Sequence, residues 1–264
     1  VGGFGADVTP ELLSRWVQVG CFSPLFRNHS SKGSTRQEPW LFGEETLNIN
    51  RKYIELRYKL LPYLYDLFHE TEQNGMPVIR PLVLHYEKDK ETWNLNGEFL
   101  FGEHMLVAPV VEQGMTKKLL YLPEGTWTSL LTGEVKEGGK WYTEKHGYLS
   151  IPLYVKEGSI VAMGARNDNA VYDYADGVTF RAYALKDGIK AETVVYGTEN
   201  EKEASADVVK NGTSYEITVE SKKASKVALM NVGAPKQVNG ASYTQDGENV
   251  IVEFNGDGKA EVVF

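Results

Sequence analysis

The 264-residue chain contains one cysteine, no long apolar run and fewer basic than acidic residues. A lone Cys21 excludes an internal disulfide framework and a cysteine-rich zinc site, and it is compatible with a reducing compartment such as the cytoplasm. Without a run of about 18 apolar residues, the sequence predicts no membrane span. The net charge of −8 argues against nucleic acid and anionic lipid as partners. Neutral ligands, sugars among them, suit such a chain.

The sequence also lacks an initiating methionine and a signal-peptide pattern, because it opens Val1-Gly2-Gly3-Phe4-Gly5. A β-branched residue followed by two glycines is typical of a junction between a strand and a loop. We therefore expect the chain to be a fragment of a longer polypeptide, whose targeting this opening does not reveal.

The first helix is predicted by its start and stop signals. Thr9 suits the N-cap, Pro10 the first helical position and Gly20 the end. The apolar run Cys21–Phe26 then predicts a buried strand. The polar stretch 27–43 predicts a long loop, and loops of this length inside compact domains are often functional.

A long amphipathic helix is expected over residues 44–74, with Pro62 kinking or interrupting it and Gly75 ending it. The order of strand end, helix, strand, loop and helix indicates two β/α units with parallel strands. Two units cannot close a barrel. The apolar face of helix 44–74 should therefore need cover from sequence outside this chain.

After about Tyr86 the pattern changes to short strands separated by Gly, Pro and Asn, which is typical of antiparallel β-sandwiches. The fold class expected is α/β followed by all-β. We predict domains at 1–87, 88–168 and 169–264, because the polar stretch Gly164–Ala170 is the clearest internal boundary.

An ordered series of short motifs resembles glycoside hydrolase family 31. Each motif alone is a weak indicator, but their order over residues 1–112 is specific. The sequence at 37–45 looks most like that of bacterial α-glucosidases. The series contains Gly2-Gly3-Phe4-Gly5, Arg15-Trp16, Gly20-Cys21-Phe22-Ser23-Pro24, Phe26-Arg27-Asn28-His29-Ser30, Gln37-Glu38-Pro39-Trp40, Phe42-Gly43-Glu44-Glu45, Leu61-Pro62-Tyr63 and Val107-Ala108-Pro109.

The resemblance implies a retaining glycosidase built on a (β/α)8 barrel with flanking β-sandwiches. Residues 1–87 would be the last two β/α units of that barrel, followed by two antiparallel β-sandwich domains. The nucleophile and the acid/base lie upstream in the family pattern. This chain then carries no catalytic residue and is expected to be inactive alone.

The resemblance also implies two substrate-binding residues, His29 and Phe4, which would follow the two barrel strand ends that face the sugar. Without the resemblance, we would expect His29 to be a solvated loop residue and Phe4 to be a core residue. Neutral imidazole donates to and accepts from hydroxyls, and an aromatic face packs on sugar C–H groups. Arg27 is expected to pair with Glu44 or Glu45.

No metal site and no cofactor are expected. His69 and His85 have no nearby set of ligands, and Glu103-His104 is interpreted as a hairpin turn. Trp127 is expected in a core. Trp141 is open to either a core role or a sugar platform.

The primary hypothesis is the C-terminal portion of an α-glucosidase that hydrolyses terminal α-linked glucose from oligosaccharides. Its expected partners are an α-glucoside and the N-terminal portion of the same enzyme as a separate chain. α-Xylosidase and α-glucan lyase activity stay open, and so does a non-catalytic carbohydrate-binding module of stacked sandwiches.

Overall fold

The computed structural model describes residues 1–3 and 7–264, so Phe4 lies outside the described residues. Two compact units contain the chain. The first comprises residues 1–57, 78–124 and 137–154, and the second comprises residues 58–77, 125–136 and 155–264. No helix among the described residues has the length and apolar content that crossing a membrane requires.

Three helices lie near the start of the chain: α1 at Pro10–Gly20, α2 at Glu44–Lys59 and α3 at Leu61–Asn74. Short 3-10 turns are found at Pro39–Phe42, Leu82–Leu84 and Lys90–Thr92. The predicted start of α1 is confirmed, since the Thr9 hydroxyl accepts the Leu12 N–H at 3.1 Å and Pro10 is the first helical residue.

The predicted interruption near Pro62 is also confirmed. Proline cannot donate an N–H to the preceding turn, so α2 ends at Lys59 and Pro62 lies in the first turn of α3. Gly75 ends α3 in a left-handed conformation with φ 77°, and its N–H donates to the Thr71 carbonyl at 2.9 Å.

The expectation that the apolar face of helix 44–74 needs outside cover is wrong for most of that face, although Phe68 of α3, which lies on it, is 43% exposed. Ile49 and Tyr53 of α2 are buried, as are Leu60, Leu64 and Leu67 at or within α3. Most of α2 belongs to the first unit, and α3 belongs to the second. The large apolar side chains left exposed in residues 7–57 lie elsewhere, at Leu12, Trp16, Leu25, Trp40 and Leu41.

The strand predicted at Cys21–Phe26 is a second correction. Cys21 and Phe22 are buried, but the segment is a turn, and none of the described strands pairs with it. An apolar run becomes a strand only when neighbouring strands accept its backbone hydrogen bonds. The predicted loop 27–43 is present, apart from the 3-10 turn near its end.

Eighteen strands are described. The first nine are β1 Ile79–Arg80, β2 Phe99–Phe101, β3 Met105–Val107, β4 Lys117–Leu122, β5 Thr126–Ser129, β6 Val135–Glu137, β7 Lys140–Lys145, β8 Leu153–Lys156 and β9 Ser159–Met163. The other nine are β10 Val178–Tyr183, β11 Lys190–Tyr196, β12 Lys202–Asn211, β13 Ser214–Ser221, β14 Ala224–Met230, β15 Gln237–Asn239, β16 Ser242–Asp246, β17 Asn249–Asn255 and β18 Gly258–Val263.

In the first unit, β1, β2 and β3 form an antiparallel ladder, and β4 pairs with β7 as a separate two-stranded ribbon. Phe101 pairs with Met105, so Glu103-His104 lies in the hairpin turn as predicted. The β3–β2 ladder contributes Leu100, Phe101 and Leu106 to a buried core.

The second unit contains two five-stranded sheets, one ordered β16-β17-β14-β10-β9 and the other β11-β12-β13-β18-β15. Alternate residues of both sheets face a shared apolar core that includes Phe180, Val208, Ile217, Val227 and Val252. This arrangement is the expected β-sandwich. One pair departs from the antiparallel pattern: β10 and β14 run parallel, with the hairpins of the other sheet between them in sequence.

Candidate functional site

The loop after α1 is held against the start of the chain by one buried glutamine. The Gln37 side-chain amide donates to the Gly3 carbonyl, and the Gln37 carbonyl accepts the Asn28 side-chain amide at 2.7 Å. Gly2 adopts φ 81°, and a side chain there would collide with Gln37. These contacts bring the opening segment and the residue before His29 together.

Two further contacts fix the same loop. The N-terminal amine donates to the Arg27 carbonyl at 2.7 Å, and Thr35 Oγ1 donates to Asp7 Oδ1 at 2.8 Å. Phe26 packs against the Cα of Gly20 so closely that a Cβ at position 20 would lie 2.7 Å from its ring. Loop 27–37 is therefore attached to Val1, Gly3 and Asp7 and has a defined path.

Arg27 makes a different contact from the one predicted. Its guanidinium donates to His29 Nδ1 at 3.1 Å, two residues along the same loop, instead of pairing with Glu44 or Glu45 at the start of α2. The two residues are close enough in sequence for the guanidinium to reach the ring. Arginine is always a donor, so Nδ1 accepts and the neutral ring carries its proton on Nε2.

His29 is therefore a surface imidazole with an assigned tautomer. It is exposed, and its ring is oriented by a charged neighbour. An Nε2–H group can donate to a hydroxyl, which is the contact that a sugar-binding histidine requires. Its predicted companion Phe4 lies outside the described residues, although its neighbour Gly3 is bonded to Gln37.

Two residues that order this part of the molecule were absent from the sequence-based site. Arg57 of α2 is buried, and its guanidinium donates to the carbonyls of Cys21 at 2.9 Å, Ser23 at 2.5 Å and Pro24 at 3.1 Å. It also lies over the Phe26 ring at 5.6 Å. Burial lowers the pKa of Arg57, but three carbonyls compensate its charge. Gln37 is the second of these residues, and its only sequence signal was its place in the motif Gln37-Glu38-Pro39-Trp40.

Arg15 performs a similar task on α1. Its guanidinium donates to the carbonyls of Gly147 at 2.9 Å, His146 at 3.1 Å and Met115 at 3.2 Å. Gln18, one helical turn later, donates to the Tyr148 carbonyl at 2.6 Å. Burial lowers the pKa of Arg15. Helix α1, which follows the opening segment, is thereby bound to the loop that precedes β8.

Burial explains why two acidic side chains have raised pKa values. Burial raises the pKa of Asp66 on α3 and the pKa of Glu98 to about 7 each, and Glu70 adds repulsion at Asp66. Glu98 Oε1 accepts the Tyr121 N–H at 2.9 Å, a structural contact. Glu44 and Glu45 are exposed neighbours in the first turn of α2, where a helix favours acids.

In the part of the chain that the structure describes, no group of three or more His, Cys, Asp or Glu residues could hold a metal ion. His69 stacks on Tyr196 at 3.7 Å, a packing contact within the second unit. Trp127 is fully buried, which confirms its predicted core role. Trp141 is half-exposed.

The architecture is the end of a TIM barrel followed by β-sandwich domains. Two models of one family match in order: the glycosyl hydrolases family 31 TIM-barrel domain over residues 1–67 and the family 31 C-terminal domain over 75–161. Together they span more than half of the chain, which belongs to glycoside hydrolase family 31. A third model, the C-terminal domain of the α-xylosidase YicI, matches residues 173–264.

Individual relatives agree with this assignment. "Alpha-glucosidase 2" of Bacillus thermoamyloliquefaciens is 47% identical over 164 residues, 62% of this chain and 21% of that protein. An "Alpha-xylosidase" of Saccharolobus solfataricus is 31% identical over 255 residues, 93% of this chain and 34% of that protein. A solved family 31 dextranase of Flavobacterium johnsoniae, complexed with isomaltotriose, superposes with a TM-score of 0.87 at 29% identity.

The chain spans a minor part of these proteins. The dextranase match covers 97% of this chain but 37% of the dextranase chain, and the α-glucosidase match covers a fifth of that relative. The family and the fold are thus established for residues that form one portion of the longer relatives.

Proposed function

We propose that this chain is the C-terminal portion of a retaining α-glucosidase that removes terminal α-linked glucose from oligosaccharides. The observation that carries the proposal is the Gln37 bridge, which holds the His29 loop beside Gly2 and Gly3. Loops that follow barrel strands form the sugar pocket in such a fold, so this bridge would shape one pocket wall. The 47% identity to an α-glucosidase favours glucose as the substrate sugar.

In this proposal the chain supplies binding and positioning, while the chemistry belongs to sequence upstream. A retaining glycosidase uses two carboxylates about 5 Å apart, one as nucleophile and one as acid/base. Glu44 and Glu45 do not meet this requirement, because adjacent helix residues point about 100° apart and cannot flank one glycosidic bond. His29, with its proton on Nε2, would donate to a hydroxyl of the glucosyl unit, and Phe4 would line the pocket.

The N-terminal portion of the same enzyme is the proposed protein partner, and its barrel helices would cover the exposed Leu12, Trp16 and Leu25. We also propose that the domains of the chain are residues 1–87, 88–168 and 169–264. We expect the chain alone to show no turnover of an aryl α-glucoside, and we expect activity when the chain is joined to the upstream barrel sequence.

The specific test is the product anomer of the joined enzyme, followed by NMR during hydrolysis of an aryl α-glucoside. α-Glucose as the first product supports retention, and β-glucose contradicts it. α-Xylosidase activity is the second candidate, since the α-xylosidase matches 93% of the chain and the distal model bears an α-xylosidase name. A kcat/KM for an aryl α-xyloside above that for the α-glucoside would replace the first assignment by the second.

A further inference from the structure

Two tryptophans of the first unit, outside loop 27–43, keep much of their ring surface in water. Trp93 is 54% exposed and Trp141 is 42% exposed. Tryptophan is normally well buried, because its large ring makes exposure costly. The proposed function uses neither residue.

Both indole N–H groups are bound to the same short segment, residues 87–91. Trp93 Nε1 donates to the Glu87 carbonyl at 2.7 Å, and Trp141 Nε1 donates to the Glu91 carboxylate at 2.7 Å. The polar edge of each ring is thereby satisfied and its orientation fixed. What each ring presents to a ligand is its apolar face, already held in place.

Residues 87–89 of this segment also form part of the wall of a cavity of about 650 Å³, which Tyr121 and Glu124 line as well. The Tyr121 hydroxyl donates to Asp89 at 2.7 Å, and its ring lies 5.3 Å from the Trp141 ring. Tyr121 thus joins the cavity to the Trp141 ring. The wall combines fixed aromatic rings with carboxylates, the Lys88 ammonium and backbone groups.

We propose that this cavity, together with the Trp93 and Trp141 rings, is a second saccharide-binding site that takes a neutral α-glucan chain. A glucan has apolar C–H faces that pack on aromatic rings and hydroxyls that donate to carboxylates. The choice of an α-glucan rests on the proposed function; the site itself does not.

The charges of the wall restrict the ligand class. Glu87, Asp89 and Glu124 outnumber Lys88, so acidic sugars and phosphorylated ligands are disfavoured. Asp89 already accepts from Tyr121 and Glu91 from Trp141, so these carboxylates are committed to holding rings. The remaining groups of the cavity wall suit a neutral, hydroxyl-rich ligand.

The test is affinity electrophoresis of the full 264-residue chain in gels that contain soluble starch or dextran. We expect retardation of the wild type and a drop in affinity of about fivefold or more in Trp141→Ala and in Trp93→Ala. Trp141→Phe, which keeps an aromatic face, should retain most of the affinity and shows that the variant folds. Tyr243→Ala removes an exposed ring from β16 in the second unit and serves as the matched control.

Four results would overturn the proposal: absence of retardation, equal retardation of all variants, loss in Tyr243→Ala alone, or loss in His29→Ala with the tryptophan variants unaffected. Conversion of a wild-type dimer to a monomer by Trp141→Ala, seen by size exclusion, would instead make the surface a protein interface and would also overturn it. The gel involves no turnover, so a negative result here leaves the hydrolysis assays of the proposed function untouched.

Discussion

A side chain on Gly2 would occupy the position of the Gln37 side chain, which bonds to the next residue in the chain, Gly3. Gly2 adopts φ 81°, a conformation that L side chains rarely adopt. The absence of a Cβ at Gly2 thus leaves room for the side chain of a residue 35 positions later. The path of the His29 loop depends on this fit, because the Gln37 carbonyl also holds Asn28.

We expect Gln37→Ala to destabilise the chain by about 1–3 kcal/mol, since it removes a buried amide and leaves the Gly3 carbonyl without that donor. Urea unfolding followed by tryptophan fluorescence measures the change. The neighbouring Arg36→Ala is the matched control, because Arg36 and its partner Glu38 form a surface ion pair and should leave the midpoint unchanged. Equal midpoints for Gln37→Ala and wild type would contradict the structural role of the bridge.

Arg15→Met should destabilise by about 2–4 kcal/mol, because three backbone carbonyls of residues 115–147 lose a charged donor at once. Methionine keeps the apolar length of the side chain, so the loss reports on hydrogen bonds more than on packing. Arg51→Met, on the exposed side of α2, should have little effect on the same urea midpoint. A comparable loss in both variants would show that the carbonyl contacts contribute nothing specific.

Glu98 makes stability depend on pH in a direction fixed by its pKa. Burial raises that pKa from 4.5 to about 7, so the folded chain keeps the proton after the unfolded chain has lost it. Below pH 4.5 both states are protonated and Glu98 costs nothing. Between pH 4.5 and 7 the free energy of unfolding falls as pH rises. Above pH 7 Glu98 causes no further decrease. The total is about 3 kcal/mol.

Glu98→Gln should flatten this dependence. The amide stays neutral and its oxygen still accepts the Tyr121 N–H, so the variant should equal or exceed wild type in unfolding free energy at pH 8 and approach it at pH 4.5. Urea unfolding at both pH values gives the comparison, with the exposed Glu134→Gln as control. A wild-type slope retained in Glu98→Gln would assign the dependence to another group, Asp66 being the first to examine.

Cys21 should resist thiol reagents in the native chain. It is fully buried, its thiol donates to the Tyr53 carbonyl at 3.1 Å, and burial raises its pKa to about 12. We expect the rate of labelling by a disulfide reagent at pH 8 to follow the unfolded population as urea increases. Rapid stoichiometric labelling without urea would contradict the burial of this residue.

Short sequence patterns predicted those parts of the fold that depend on residues close together in the chain. Thr9 and Pro10 marked a helix start, Pro62 an interruption and Glu103-His104 a turn, and each depends on residues within one or two turns. Strand β12, the longest of the described strands, carried no such signal. Its segment Lys202–Asn211 is rich in Ala, Ser and charged residues, and pairing with β11 and β13 makes it a strand.

The same distinction between local and long-range contacts applies to the candidate site. The resemblance pointed to His29 through a motif, but no local pattern could reveal that Gln37 meets Gly3 or that Arg57 binds Cys21, Ser23 and Pro24. Those hydrogen bonds join residues more than thirty positions apart. The apolar run Cys21–Phe26 failed as a strand for a related reason, since pairing partners are a property of the folded chain.

The most direct test of the proposed function is the kcat/KM of His29→Ala for an aryl α-glucoside, measured in the chain joined to its upstream barrel sequence. The loss of a hydroxyl contact should lower kcat/KM by at least about tenfold, equivalent to about 1.4 kcal/mol. His104→Ala, in the β2–β3 hairpin turn, should keep the wild-type value. Equal kcat/KM for His29→Ala and wild type in an active joined enzyme would remove His29 from the sugar site and contradict the account.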